Sequence, residues 1–228
     1  MDWRRYWNGA VTNSSDPYQP VGRTFRQRPY TEKQVGIIVD RILTFLQADP
    51  RKRVLELACG NGMLTKLIAP HFESITAVDF SEPLIRTARH NFARENIEYH
   101  VGDAIGLEGV SGQYDCVLIY FALQYFTPEQ TRIMFANLAT VLRKPARILL
   151  GEVADRDRIW NFYRGPSGRT RYAFDLLRGK PIIGHWWRPV DLLALAQEYE
   201  MDLSVFYQSD EMPNYYFRYD ALLELTRI

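Results

Sequence analysis

The residues best placed to do chemistry fall in residues 53–62, which read Arg-Val-Leu-Glu-Leu-Ala-Cys-Gly-Asn-Gly. This pattern predicts a short strand that is apolar on both faces and runs into a tight turn and a helix. Ala58, Gly60 and Gly62 are small, so they let the backbone turn sharply and let a ligand approach main-chain atoms. Glu56 precedes the turn, and the helix that follows presents free N–H groups to whatever binds. The segment therefore predicts a nucleotide-binding turn.

Two nucleotide-binding motifs compete for this turn. The dinucleotide fingerprint places glycines at the first, third and sixth positions, whereas here Met63 occupies the sixth. The observed Glu-x-Ala-x-Gly-x-Gly order instead resembles the first motif of the class I S-adenosylmethionine-dependent methyltransferases, in which an acid precedes three spaced glycines. Ala58 replaces the first of those glycines. A glycine-rich turn of some other α/β protein is the alternative.

The resemblance implies an S-adenosylmethionine site, with S-adenosylhomocysteine as product. Glu56 would orient the turn and attract the ammonium group of the methionine moiety, which Gly60 and Gly62 would hold through backbone groups. Asp79 follows the second predicted strand and matches the acid that accepts both ribose hydroxyls in the family. The alternative for Asp79 is an exposed acid at the start of the next helix.

Further positions follow from the same resemblance. Phe80 would lie against the adenine, and Asp103 would accept a hydrogen bond from its exocyclic amine, with Ala104 beside it. A turn-forming Gly-Asp pair is the alternative at that place. Aromatic faces near the methyl group would help to hold the positively charged sulfonium, and plain core packing is the alternative for these residues. The candidates are Tyr120, Phe121, Tyr125 and Phe126.

Methyl transfer needs mainly alignment in a dry pocket, and a base helps when the nucleophile is oxygen or nitrogen. His185 is the first candidate for that base, since the other histidines fall on predicted helices or strands. Packing or substrate binding are the alternatives for His185, which stands next to Trp186. Glu152 and Asp155, which follow the fifth predicted strand, are rival candidates.

The charge distribution suggests an anionic acceptor. Residues 154–188 hold seven arginines and one lysine against three aspartates, and residues 1–30 hold five arginines against two aspartates, although the whole chain has a net charge of +1. Arginine forks suit phosphate or carboxylate, so Arg169 and Arg171 are predicted to bind such a group, with Tyr125 and Trp186 as further acceptor contacts. The alternative is that these arginines are simply solvated on loops.

Strands and helices alternate from the first predicted helix onwards. A capping box at Thr31–Gln34 precedes an apolar helical stripe, and a second capping box at Thr127–Gln130 starts a later helix. This alternation predicts a Rossmann-like, doubly wound α/β sheet with helices on both faces. In such a sheet, ligands bind outside the carboxyl ends of the strands. Two further strands, residues 203–207 and 215–225, bring the number to seven, and the resemblance makes the last one antiparallel.

Four segments are expected. Residues 1–30 form an aromatic N-terminal arm, residues 31–153 the cofactor-binding core, residues 154–188 an inserted substrate lid that is partly helical, and residues 189–228 complete the core. Arm and lid would close over the acceptor.

Composition excludes several classes of protein. A net charge of +1 argues against attraction to nucleic acid or to an anionic membrane, and the Asn/Asp-Pro-Pro-Tyr/Phe signature of DNA-base methyltransferases does not occur after the fourth strand. No apolar run approaches a membrane span and no signal peptide is evident, so a cytoplasmic location is expected. The two cysteines favour neither a disulfide scaffold nor a metal site.

The sequence thus predicts a methyltransferase acting on a hydroxyl, or less readily an amine, of a small anionic acceptor such as a sugar derivative or specialised metabolite. A monomer or homodimer is expected. Two alternatives stay open: a catalytically silent cofactor-binding partner subunit, and a nicotinamide-dependent oxidoreductase, which the turn spacing disfavours.

Overall fold

A computed structural model describes residues 3–9, 24–25, 28–179 and 181–226 of the chain. Residues 10–23 of the predicted arm, with its aromatic residue Tyr18, lie outside the described residues. No helix among the residues described is both long enough and apolar enough to cross a membrane.

The described strands form one hairpin and one large sheet. Their bounds are β1 (Thr24–Phe25), β2 (Arg28–Pro29), β3 (Arg53–Leu57), β4 (Ser74–Asp79), β5 (Ile97–Val101), β6 (Tyr114–Tyr120), β7 (Leu142–Ala154), β8 (Asp202–Tyr207) and β9 (Arg218–Leu225). The helices are α1 (Trp3–Asn8), α2 (Glu32–Leu46), α3 (Met63–Ile68), α4 (Glu82–Asn91), α5 (Pro128–Val141), α6 (Ile159–Phe162), α7 (Gly165–Leu177) and α8 (Pro189–Glu198). The part of the chain that the structure describes also contains three short 3₁₀ turns, Ala69–His71, Leu123–Tyr125 and Arg156–Arg158.

The large sheet has seven strands in the order β5-β4-β3-β6-β7-β9-β8. Strands β5, β4, β3, β6 and β7 pair in parallel, whereas β9 runs antiparallel to both β7 and β8. The predicted Rossmann-like fold with an antiparallel last strand is therefore confirmed. That strand is shorter than predicted and begins at Arg218, because residues 208–217 form turns rather than extended backbone.

Local signals fix the helix ends. In α2 and α5 the side chains of Thr31 and Thr127 accept from the backbone of Gln34 and Gln130, whose side chains accept in return, so both predicted capping boxes are confirmed. Ser81 is the N-cap residue of α4, but its side chain makes no capping hydrogen bond. Its N–H donates to the carboxylate of Asp79.

The sheet separates two apolar cores. Leu55 and Leu57 of β3 point into one core, and Val54 points into the other, against the buried stripe of α2. Because successive side chains of a strand alternate between faces, this central strand is apolar on both. The packing places the carboxyl ends of β3, β4, β6 and β7 along one edge.

The predicted lid segment, residues 154–188, contains a 3₁₀ turn, α6 and α7. Helix α7 has no buried residue. Its neighbours fold inward instead: Ile183, Trp186 and Tyr163 pack with Phe217 in a third apolar cluster.

Ala58, in the turn after β3, has a strained backbone conformation. This residue has φ 57°, a left-handed conformation in which a side chain costs about 1–2 kcal/mol. We expect Ala58→Gly to raise the free energy of unfolding by about 1 kcal/mol, since part of the relief is offset by a freer unfolded chain. Urea denaturation measures the change. The matched control, Ala136→Gly on the exposed face of α5, should lower the same quantity by about 1 kcal/mol; equal losses at both sites would contradict the strain.

Gly151 of β7 leaves no room for a side chain. A Cβ there would lie 2.1 Å from Cδ2 of Tyr120, its neighbour across the β6–β7 pair. We expect Gly151→Ala to lower the free energy of unfolding by about 2 kcal/mol or more through overpacking. Gly36 in α2 is the control, because a Cβ there meets nothing within 4 Å. Gly36→Ala should raise stability by about 1 kcal/mol; two variants that shift denaturation alike would disprove the contact.

Candidate functional site

A cavity lies at the carboxyl ends of β3, β4 and β6. We call it the first cavity, and its lining residues are Trp7, Ala58, Cys59, Gly60, Asn61, Met63, Leu64, Asp79, Phe80, Leu84, Tyr120, Phe121, Ala122 and Tyr125. The strand order reverses between β3 and β6, since β4 lies on one side of β3 and β6 on the other. This is the place where doubly wound sheets bind ligands.

Asp79 connects two strand ends beneath this cavity. Its Oδ2 accepts a hydrogen bond of 2.9 Å from the N–H of Gly60, and its Oδ1 accepts one of 2.9 Å from the N–H of Ser81. The residue is buried, and this burial raises the pKa of its carboxyl to about 6 despite both hydrogen bonds. Each carboxylate oxygen can accept a second bond, so the fixed acid can still receive ligand hydroxyls.

Gly60 and Gly62 of the turn are required for different structural reasons. Gly60 lines the first cavity with φ 61°, which brings its backbone to the cavity wall. Gly62, with φ 78°, does not line the cavity. A Cβ on Gly62 would lie 2.6 Å from the hydroxyl of Tyr99 and 2.8 Å from Cβ of Ala88, so it allows α3 to pack closely on its neighbours.

Other predicted cofactor residues lie away from the cavity wall. Glu56 is buried in the strand below the turn, and Ala104 is buried in the apolar core. Asp103 accepts a bond of 2.9 Å from the N–H of Ile105, and its other oxygen lies 3.4 Å from Nη2 of Arg4. The roles assigned to these three residues stay predictions.

Helix α1 covers the mouth of the first cavity. The ring centroids of Trp3 and Trp7 lie 4.6 and 5.6 Å from that of Tyr125, and the guanidinium of Arg4 lies 5.2 Å from the ring centroid of Phe80. The sequence predicts an arm here but does not indicate which residues reach the cavity.

A second cavity of about 450 Å³ adjoins the first. It is lined by Trp3, Tyr6, Trp7, Phe121, Gln124, Tyr125, Phe162, Pro181, Ile182, Ile183, Asn214, Phe217 and Arg218. Three aromatic residues, Trp7, Phe121 and Tyr125, line both cavities. A molecule in the second cavity would thus lie next to a ligand of the first, with these three aromatic rings lining the place where they meet.

A buried polar network forms one side of the second cavity. Nη1 of Arg218 donates to Oε1 of Gln124 at 3.0 Å and to the carbonyl oxygen of Glu152, while its Nε lies 3.6 Å from Oε2 of Glu152. Asn214 donates to the same Oε2 at 3.3 Å. Sequence reasoning missed Arg218, Gln124 and Asn214, although the charged residues Arg218 and Asp220 at the start of β9 were an available signal.

The candidate bases do not line either cavity. His185 faces a separate groove with Trp186 and Arg156, and burial, followed by the charge of Arg156, lowers the pKa of its imidazole. Glu152 is fully buried behind Arg218. Asp155 accepts a bond of 2.9 Å from the N–H of Asp157 and so caps a turn.

The arginines predicted to bind an anion are exposed on α7. Arg171 pairs with Asp175 at 3.8 Å, and Arg169 lies over the ring of Trp160 at 5.3 Å. Neither residue lines the first or the second cavity. The structure therefore brings Tyr125, but not these arginines, to the place where the two cavities meet.

Comparison with known proteins identifies the fold family. Residues 54–145 match the model of a methyltransferase domain. The chain is 27% identical over 149 residues to a ubiquinone biosynthesis O-methyltransferase of Coxiella burnetii, a match covering 64% of this chain and 62% of the relative's length. It is 26% identical to a demethylmenaquinone methyltransferase of Beutenbergia cavernae, with 65% of each chain covered.

Solved structures share the fold. Magnesium protoporphyrin IX methyltransferase from Synechocystis PCC 6803, crystallised with bound S-adenosylmethionine, superposes with a TM-score of 0.60 at 15% identity, covering 98% of this chain and 89% of that one. The matched domain contains the turn, Asp79 and the strand ends that build the first cavity. Residues 54–145 thus match a methyltransferase domain, and the chain has the fold of solved S-adenosylmethionine-dependent methyltransferases.

Proposed function

We propose that this chain transfers the methyl group of S-adenosylmethionine to an oxygen of a small, ring-containing acceptor held in the second cavity. The observation that carries the proposal is the shared wall: Trp7, Phe121 and Tyr125 line both cavities. When bound, the cofactor supplies an electrophilic methyl group on a sulfonium. The task of the protein is then to align acceptor and cofactor and to exclude water.

The residues of the first cavity fit the cofactor. The carboxylate of Asp79 suits ribose hydroxyls, since hydroxyls donate and a carboxylate accepts. The backbone at Gly60 allows close approach of the amino-acid moiety of the cofactor. Phe80 and Leu84 offer an apolar surface for its adenine ring. Tyr120 and Phe121 supply aromatic faces that favour a neighbouring positive charge.

The second cavity suits an aromatic acceptor. Its wall is dominated by aromatic and aliphatic side chains, which stack on a flat ring. The relatives named for ubiquinone biosynthesis and for demethylmenaquinone support a ring-containing acceptor, and the first is named as an O-methyltransferase. The anionic sugar derivative expected from the charge distribution receives less support, because Arg169 and Arg171 are exposed on α7.

The second cavity favours an enzyme over a silent partner subunit. A silent subunit needs no space beside its cofactor, whereas here about 450 Å³ adjoins the first cavity. The base roles of His185 and Glu152 stay predictions, as do the lid, the cytoplasmic location and the monomeric or homodimeric state.

Activity is tested with tritiated S-adenosylmethionine and two acceptor panels, hydroxylated aromatic compounds and phosphorylated sugars. We expect transfer to a ring hydroxyl. Tyr125→Ala should then reduce kcat/KM about tenfold, because it removes an aromatic wall that both cavities share. Phe206→Ala on β8 is the control, since Phe206 lines neither cavity and should leave kcat/KM unchanged. Methylation confined to the sugars would refute an aromatic acceptor.

Asp79 should make cofactor binding depend on pH. Ribose hydroxyls need the ionised carboxylate, and the pKa of this group is raised to about 6. The affinity for S-adenosylhomocysteine should therefore be constant above pH 7 and fall as the pH drops through the pKa, to a level about tenfold lower once the carboxyl is protonated. The folding stability of the ligand-free protein should change with pH in the opposite direction. Because the pKa of Asp79 is raised in the folded state, the free energy of unfolding falls as pH rises from about 4 towards that pKa.

Calorimetric titration across this pH range measures the effect. Asp79→Asn should remove the pH dependence and weaken binding about tenfold at neutral pH, as expected for a lost charge-assisted bond. Asp115→Asn is the control, because Asp115 binds the N–H of Arg53 at the opposite ends of the strands. A pH profile for Asp79→Asn that matches the unmodified protein would rule out Asp79 as the ribose acceptor.

A further inference from the structure

We infer that Arg218 selects the acceptor by donating hydrogen bonds to a neutral oxygen on it, such as a ring ketone, rather than by binding an anion. This inference rests on the proposed function in one respect: it takes the second cavity as the acceptor site. Arg218 is 2% exposed and yet lines that cavity. A guanidinium in such a position needs a physical explanation, because burying a charge is costly.

The donors of Arg218 are unevenly used. Nη1 makes two hydrogen bonds, to Gln124 and to the carbonyl oxygen of Glu152. Nε makes none, and among the described residues no hydrogen bond is formed by Nη2 either. Arginine carries five donors in a fixed plane, so the guanidinium retains hydrogen-bonding capacity next to the cavity.

The shape of the site favours a flat ligand. The guanidinium carbon lies 4.3 Å from the ring centroid of Phe121 and 4.9 Å from that of Phe217. Both rings line the second cavity, as does Tyr125. A ring stacked among these side chains could present an oxygen at its edge to the edge of the guanidinium.

The charge balance decides which oxygen fits. The carboxylate of Glu152 is fully buried and lies 3.6 Å from Nε of Arg218, so the guanidinium already has a counter-ion. Of the described residues that line the cavity, Arg218 alone carries a full charge. A carboxylate ligand would leave one negative charge without a partner beside aromatic walls, which is unfavourable. A neutral oxygen accepts the spare hydrogen bonds without that penalty.

The test uses three single-ring probes of similar size: acetophenone, ethylbenzene and benzoate. Their affinities are measured by saturation-transfer NMR at millimolar concentrations, with and without S-adenosylhomocysteine. We expect acetophenone to bind about fivefold more tightly than ethylbenzene, for one hydrogen bond, and more tightly than benzoate. Benzoate as the tightest ligand, or no binding by any probe, would overturn the inference.

Two variants then distinguish the effect of the charge of Arg218 on probe binding from the effect of its hydrogen-bond donors. Glu152→Gln leaves the guanidinium without its counter-ion, so benzoate should gain about fivefold and overtake acetophenone. The double variant Glu152→Gln/Arg218→Met removes both charges, and the preference for acetophenone over ethylbenzene should fall to about twofold or less. Unchanged preferences in both variants would assign Arg218 a structural role and refute the inference.

A matched pair on the same two strands serves as control. Arg147 of β7 forms an ion pair with Glu224 of β9. Arg147 lies six residues before Val153 on β7, so this pair is about 20 Å from the end of the strand that faces the second cavity. Arg147→Met/Glu224→Gln should preserve all three preferences. Circular dichroism checks folding. If the Arg218→Met variant does not fold, Arg218→Lys replaces it, and it should also lose preference for acetophenone, because an ammonium does not reproduce the planar fork.

Failure of this inference is distinguishable from failure of the proposed function. Probe binding requires no turnover, so it can succeed or fail whether or not methyl transfer occurs. Loss of S-adenosylhomocysteine binding with intact, Arg218-dependent probe selection would refute only the methyltransferase activity. Normal methyl transfer with probe preferences indifferent to Arg218 would refute only the present inference.

Discussion

The contact between Arg218 and the backbone of Glu152 holds together the part of the structure where the two cavities meet. Phe121 and Glu152 both have left-handed backbones, with φ 60° and 55°, although neither is glycine. Each is fixed from both sides. Phe121 donates to Gly151 and accepts from the amide of Gln124, while Glu152 donates to Asp220 and accepts from Arg218. Such strain persists only where surrounding bonds determine the conformation.

This arrangement explains why polar residues occupy the ends of β7 and β9. Gln124 receives a bond from Arg218 and gives one to Phe121, so a single network fixes the backbone after β6 and within β7. Arg41 adds a second, partly buried ion pair with Asp220, and Gln208 also donates to that carboxylate. These hydrogen bonds fix the backbone at the ends of both strands, although Nε of Arg218 and Oε1 of Gln208 make none among the described residues. The aromatic wall shared by the cavities is therefore held by hydrogen bonds, not by apolar packing alone.

The sequence predicted what depends on near neighbours. Both capping boxes, the apolar stripe of α2 and the acid at the end of β4 follow from spacing along the chain, because their partners lie within a few residues. Arg218 was beyond that reach, since Gln124 and Glu152 lie 94 and 66 residues away in sequence. The prediction that Arg169 and Arg171 bind an anion failed to place them at a cavity for a different reason. The arginine content of a segment predicts its charge but not which way its side chains point, and both residues are exposed on α7.

The buried charge beside the first cavity has no ion-pair partner among the described residues, whereas the buried charges beside the second cavity are paired. This difference favours ligands of different charge in the two cavities. Asp79 receives only backbone N–H groups and forms no ion pair among the described residues, so its negative charge remains available beside the first cavity. That field favours a ligand that carries hydroxyl donors and a positive centre. Glu152 and Arg218 cancel each other beside the second cavity, which leaves directed donors but little net field. A cationic cofactor and a neutral acceptor would thus each be favoured in their own cavity, and Phe121 lines both.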